Sequence, residues 1–367
     1  MNENKKIRVL VVEDSLVVRE LLCHIIEQCP KLELAAAVTS AEEAIRQLPT
    51  LKPDVISLDI RLPGMNGLEA TLEIMSTQPT PIVVVAANVE CDELNIAMNA
   101  LKAGALTVVE KPVGVTHGDY AAMADNLCRQ FIIMSEVRVL KQARRRSFSF
   151  STSKEPTADE HVPTAPAAIT PTAGIPRMLG IAASTGGPSA VSQVLGGLGR
   201  NFPLPVLLVQ HMTDSFLPGF IGWLSEIGPL PARIAESGEM PRPGVVYAPP
   251  ADRHLMIKGG LLYLSKDPQV SSQRPSGTVL FRSMAADLGR NAIGVVLTGM
   301  GDDGADGLLA MRQAGAYTLA EDKSTAVVNG MPSAAVQCGA VREILPLDAI
   351  APRIHDLIRT PLAGGRP

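Results

Sequence analysis

The sequence predicts two doubly wound α/β domains in tandem. The first is built on a five-stranded parallel sheet, the second on a mostly parallel one. Three observations carry this. Short Val/Ile-rich runs alternate with segments of helical period over residues 7–113, and again from Met178 onward. The runs are apolar throughout, as strands buried on both faces must be. Between the two regions lies a stretch rich in Ser, Thr, Pro and Ala with no apolar period, which predicts an extended, mobile linker.

Taken in order, IRVLVV, LELAAAV, DVISLDI, PIVVVAA and ALTVV are the five strands of the first sheet, with helices between them. A long helix is expected over about 118–146, ending in the basic run KQARRR that suits a helix C-terminus. The linker SFSFSTSKEPTADEHVPTAPAAITPTAGIP follows. The second domain opens with MLGIAAS and a helix, then VLLVQHM and a helix, then GVVYAPP. A hairpin is expected around KGGLLYL, a helix near Val279–Leu288, then AIGVVLTGM with its helix, and YTLAED. The domain limits are set at 1–115, 116–177 for helix and linker, and 178–360.

Bulk properties narrow the function. At 367 residues, more than one core is expected. Apolar residues make up 46% and aromatics 3%, so those cores should be aliphatic. A net charge of −4 argues against a nucleic-acid binder, and no apolar run is long enough to span a bilayer. The N-terminus lacks a signal-peptide cleavage pattern, so a cytoplasmic location is expected. The five cysteines form no CxxC pair and read as ordinary thiols.

The first chemical constellation sits at strand ends. Glu13 and Asp14 follow the first strand, Asp59 ends the third and Lys111 ends the fifth. In an open parallel sheet these ends border one crevice. Three carboxylates there call for a cation, and Mg²⁺ is the hard, oxygen-seeking choice. A single strand-end acid is ordinarily a helix cap; four charged groups converging are better explained by a shared site. The motifs VVEDS, SLDIRLPGMNG and VVEKP resemble a two-component receiver domain, whose sheet is flavodoxin-like. The resemblance implies that Asp59 takes a phosphoryl group from a histidine kinase, that Glu13, Asp14 and Asp59 bind Mg²⁺, and that Lys111 contacts the phosphoryl group. One departure stands out: the family's Ser/Thr after the fourth strand is Ala86 here, and Ala87 supplies no hydroxyl either.

The second constellation centres on Ser184 in GIAASTGGPSAV. Gly186 and Gly187 permit a tight strand-to-helix turn and Pro188 suits the first helical turn. Such a serine suits a nucleophile or a phosphate-cradling loop about equally. His211 ends the next strand in VQHM, and Asp302 and Asp303 follow a later one in VVLTGMGDDGADG, so a Ser, a His and an Asp share one sheet edge. A calcium loop at GDDGADG fails, because Gly304 and Gln313 stand where ligands are needed. The chain order Ser–His–Asp differs from that of α/β-hydrolases.

Together GIAASTGGP, VQHM, YAPPADRHL and VVLTGMGDDGADGL resemble the catalytic domain of the chemotaxis protein-glutamate methylesterases, a family that joins a receiver to this domain. The resemblance implies Ser184 as nucleophile, His211 as general base and Asp303 as orienting acid, with Thr185 and Met300 near the oxyanion. His254 matches a family histidine near the site. It further implies methyl-accepting chemoreceptors as substrate, a chemotaxis histidine kinase as phosphodonor, hydrolysis of γ-glutamyl methyl esters and of glutamine amides, no cofactor for the ester chemistry, and a monomer. A receiver-linked adaptor without turnover and a DNA-binding output are the competing readings; the intact Ser/His/Asp set opposes the first, the acidic charge the second.

Overall fold

The computed structural model describes residues 5–87, 91–112, 117–137, 139 and 176–359. Its N-terminal half runs β1 (Ile7–Val12), α1 (Leu16–Gln28), β2 (Leu32–Val38), α2 (Ala41–Leu51), β3 (Val55–Asp59), α3 (Gly67–Thr77), β4 (Ile82–Ala86), α4 (Cys91–Lys102), β5 (Thr107–Glu110) and α5 (His117–Ser135). The strands form one parallel sheet in the order β2-β1-β3-β4-β5. The winding reverses between β1 and β3, which opens a crevice at their C-terminal ends. Val9, Leu10, Val11 and Val12 all lie within the core, as strands covered on both faces require.

The helix expected over 118–146 ends at Ser135 instead. Its last fully buried anchors are Phe131 and Met134. Beyond them the N–H groups of Glu136 and Val137 reach back only three residues, to Ile133 and Met134, which tightens and closes the helix. The basic run 141–146 and the expected linker up to residue 175 lie outside the described residues.

The C-terminal half runs β6 (Met178–Ala183), α6 (Gly187–Leu198), β7 (Val206–Gln210), α7 (Leu217–Ile227), β8 (Ala232–Ile234), β9 (Val246–Ala248), β10 (His254–Lys258), β11 (Leu261–Ser265), α8 (Gly277–Leu288), β12 (Ala292–Val296), α9 (Ala305–Gln313), β13 (Tyr317–Glu321), α10 (Gly330–Gln337), β14 (Glu343–Leu345) and α11 (Leu347–Arg359). Seven parallel strands are ordered β14-β13-β12-β6-β7-β9-β8, and β10 and β11 form a separate antiparallel hairpin. Gly259 and Gly260, both at positive φ, make the hairpin's two-residue turn. The first strand of this half, β6, lies between β12 and β7, so the winding reverses there too. The short strands β8 and β14 carry too few residues to stand out as apolar runs.

The two halves touch. Buried Ala97, Met98 and Leu101 of α4 share an apolar cluster with Phe216, Phe220 and Leu224 around α7. At its edge the Trp223 indole N–H donates to the Asn99 side-chain oxygen at 3.2 Å. No helix among the described residues is long and apolar enough to cross a membrane.

Candidate active site

Ser184 leaves β6 into a turn held by two backbone bonds and one from a side chain. Its N–H donates to the Thr298 carbonyl at 3.0 Å, and its carbonyl accepts from Gly187 N–H at 2.8 Å and from the Gln210 amide at 2.7 Å. The two glycines have separate reasons. Gly186 caps α6 at φ +78°, and a Cβ there would strike Val327 at 2.6 Å. A Cβ on Gly187 would lie 2.1 Å from the Gln210 side-chain oxygen. From the other side Gly299 presses close, since a Cβ on it would sit 2.7 Å from Ser184 Cβ. Thr185 is buried, Met300 is 44% exposed, and the N–H of neither donates a hydrogen bond among the described residues.

His211 stands directly after β7, its N–H bonded to the Ala183 carbonyl at 2.9 Å. Its Nε2 lies 2.8 Å from Asp303 Oδ2. Nδ1 is therefore the ring nitrogen left to receive a proton. Ser184 and His211 line one cavity, with no direct hydrogen bond between their side chains among the described residues. Such a bond commonly closes only around substrate.

Asp303 and Asp302 part ways, as adjacent residues in a turn should. Asp302 is exposed; Asp303 is 2% exposed and accepts from four donors. Besides His211 these are the Ser276 hydroxyl at 2.6 Å, Gly277 N–H at 2.6 Å and Thr278 N–H at 3.1 Å, all from the start of α8. Burial pushes the carboxyl up, but His211, Ser276 and Thr278 outweigh it and bring it down to about 2. His254 is fully buried and does not reach the cavity: its Nδ1 accepts from Ser276 N–H at 3.2 Å and its Nε2 donates to the Pro268 carbonyl at 3.2 Å.

Four residues of this centre escape sequence reading. Gln210 ties the Ser184 and His211 carbonyls together through one amide group. Thr298 donates to the Thr185 carbonyl at 2.9 Å and is held in turn by buried Glu321, which accepts from its N–H at 2.8 Å. Burial first of all raises the Glu321 carboxyl above the usual carboxylate range. Ser276 is legible only as a helix cap. No local pattern marks their roles in this centre, because each also bonds a residue distant in the chain.

At the other crevice, Glu13 and Asp59 are buried and Asp14 is exposed, with a carboxylate oxygen of each within 4.8 Å of the others. Lys111 Nζ lies 2.8 Å from Asp59 and 2.9 Å from Glu13. Burial, then the Asp59 charge, pushes Glu13 up to about 7; burial likewise raises Asp59 despite Lys111. Burial works against the Lys111 charge, but its bonds to Asp59 and Glu13 win and raise it. One ammonium against three carboxylates leaves an all-oxygen donor set with negative charge to spare. Ala86 ends β4 fully buried, where no hydroxyl is available.

The cavity before Ser184, of about 480 Å³, has walls from both halves. Glu110, Met123 and Gln130 supply one side, and Ser184, Thr185 and His211 the other. The β5–α5 face of the N-terminal domain thus forms one wall of the cavity that Ser184 lines.

The CheB methylesterase family matches residues 179–354, and the response regulator receiver domain family matches residues 9–118. A relative from Paramagnetospirillum magneticum (strain ATCC 700264 / AMB-1), protein-glutamate methylesterase/protein-glutamine glutaminase 2, is 58% identical over 354 residues, covering 96% of this chain and 98% of its own. The chain belongs to this methylesterase family. A second member, from Nitrosospira multiformis, is 41% identical over 96% of this chain and 97% of its own. The crystal structure of the Thermotoga maritima CheB methylesterase catalytic domain aligns with 50% of this chain and 98% of its own, at 33% identity and a TM-score of 0.48. Within the family's two-domain plan, Ser184, His211 and Asp303 fall in the methylesterase match and Asp59 in the receiver match.

Proposed function

We propose that this chain is a phosphorylation-regulated protein-glutamate methylesterase and protein-glutamine glutaminase acting on methyl-accepting chemoreceptors. The carrying observation is the His211–Asp303 bond at 2.8 Å in the cavity that Ser184 lines. Ser184 Oγ attacks the γ-glutamyl ester carbonyl and its proton passes to His211 Nδ1. The N–H groups of Thr185 and Met300, which donate no hydrogen bond among the described residues, are the ones that would stabilise the resulting oxyanion. His211 returns the proton to the departing methoxide, which leaves as methanol. It then deprotonates the water that cleaves the acyl-enzyme, releasing the glutamate carboxylate and Ser184. A glutamine side chain follows the same course and releases ammonia. Asp303 stays ionised throughout and holds the imidazolium.

In the receiver, Asp59 accepts the phosphoryl group from a histidine kinase, and Lys111 pairs with it. Glu13, Asp14 and Asp59 are the residues that would hold Mg²⁺, which would neutralise charge on the transferring group. The receiver spans 1–115 and the esterase 178–360, joined by 116–177, in a cytoplasmic monomer. Methanol release from radiomethylated receptor tests the reading. Ser184→Ala should reduce it by several orders of magnitude with the fold intact, and turnover near wild type would remove Ser184 from the chemistry.

A further inference from the structure

The methylesterase reading uses Asp303 but leaves open what aims it. Its carboxylate has two oxygens with different tasks. Oδ2 faces His211 Nε2 at 2.8 Å and Gly277 N–H at 2.6 Å. Oδ1 is gripped by the Ser276 hydroxyl at 2.6 Å and Thr278 N–H at 3.1 Å. Rotation of the carboxylate away from His211 would have to break the Ser276 bond, which is short and charge-assisted.

Ser276 is itself held by an unusual route. It is the N-cap of α8, and its hydroxyl accepts from Val279 N–H at 3.4 Å while donating to Asp303. In a capping box, a Glu or Gln at the third helical position returns a bond to the cap's own N–H. That position is Val279 here and cannot do so. His254, from the separate hairpin, takes over: Nδ1 accepts the Ser276 N–H while Nε2–H is spent on Pro268. Both residues are 0% exposed, so neither bond has water as a substitute. With both ring nitrogens committed, His254 is a neutral strut and carries no proton for the reaction. Thr278 closes the assembly, its hydroxyl accepting from Gly304 N–H at 2.7 Å, one residue beyond Asp303.

We propose that Ser276, locked by His254, is a positioning residue of the esterase centre: it clamps the Asp303 oxygen remote from His211 and so keeps the other aligned with the imidazole. The inference rests on the Ser184–His211–Asp303 reading.

The test uses the full chain, with methanol release from radiomethylated receptor at several substrate concentrations. Glycine is nearly as good an N-cap as serine but has no hydroxyl. Ser276→Gly therefore keeps the helix start while removing the clamp. Expected is a fall in kcat of about 10- to 100-fold with KM unchanged. In an Asp303→Asn background the same change should cost little more, because its target is already altered. His254→Leu should lower kcat several-fold, and His254→Asn, whose amide oxygen replaces Nδ1 as acceptor, should retain most of it. Wild-type kcat in Ser276→Gly would overturn the clamp, as would equal losses with and without Asp303. Equal turnover in both His254 variants would overturn the lock. Asp303→Asn alone separates the two levels: if it turns over normally, the triad reading itself fails, whereas a crippled Asp303→Asn beside an active Ser276→Gly defeats only the clamp.

Discussion

At Asp303, four donors meet one buried carboxylate, and its adjacent twin Asp302 faces solvent. Asp303→Asn should lower turnover by orders of magnitude by favouring the wrong imidazole tautomer; a loss of about 10⁴ is known for one such triad. Asp302→Asn should change it little, and the reverse ranking would exchange their roles. The same environment makes a pH prediction. A carboxyl brought down to about 2 from 3.8 stabilises the fold above its unfolded pKa by about 2 kcal/mol, and that contribution disappears as pH falls through about 2. By pH 3 roughly 1 kcal/mol of it should be gone. Urea melts of wild type and Asp303→Asn at pH 7 and pH 3 measure this: the gap between them should narrow at the lower pH. A gap that widens would contradict the four-donor account of that carboxyl.

At the element scale, the β6–α6 turn is where packing and chemistry coincide. Gly187 gives the Gln210 amide the room it needs to tie the Ser184 and His211 carbonyls. Gly187→Ala places a methyl group inside the Gln210 oxygen's radius, at 2.1 Å. The expected cost is that of overpacking, about 1–3 kcal/mol by urea denaturation, together with lost turnover as the tie is displaced. An unchanged midpoint would mean the turn relaxes freely. Gly186→Ala differs in kind, because the positive φ adds backbone strain to the contact with Val327. Helix α8 is the other decisive element: its first turn is both a helix start and the cradle of the Asp303 carboxylate.

Over the whole molecule, the receiver's β5–α5 face forms one wall of the cavity that Ser184 lines. The chain's single tryptophan reports on that contact. Trp223 is 1% exposed and bonded to Asn99 across the boundary. If phosphorylation of Asp59 releases the receiver, acetyl phosphate with Mg²⁺ should shift Trp223 emission to longer wavelength, and Asp59→Asn should abolish the shift. Ala86 sets its size. Without a hydroxyl to follow the phosphoryl group, the phosphorylated chain gains less for the released state, by roughly 1.5–3 kcal/mol for one charge-assisted hydrogen bond. Ala86→Ser should therefore enlarge both the emission shift and the activation of methanol release. A wild-type response already as large as that of the Ala86→Ser chain would show that Ala86 weakens nothing.

The strands that bury both faces were legible in the amino-acid sequence, as were the acids, serine and histidine that stand at strand ends. All of these follow from local apolar runs and from the rule that parallel strands end on one side of a sheet. The sequence also marked the Gly186–Gly187 turn, since a tight strand-to-helix turn leaves a local composition signal. It placed the end of α5 too late, because apolar residues continue past Ser135 and no glycine or proline between 135 and 146 marks a stop. The pairing of His211 with Asp303, implied by the resemblance but not by spacing, is seen in the tertiary structure, as is the bond of His254 to Ser276 away from the cavity. The tertiary structure alone brought the receiver to the cavity that Ser184 lines. The physical reason is the same in each case: these are hydrogen bonds and contacts between residues far apart in the chain, set by how helices and sheets pack, and they leave no periodic trace in the residues that make them.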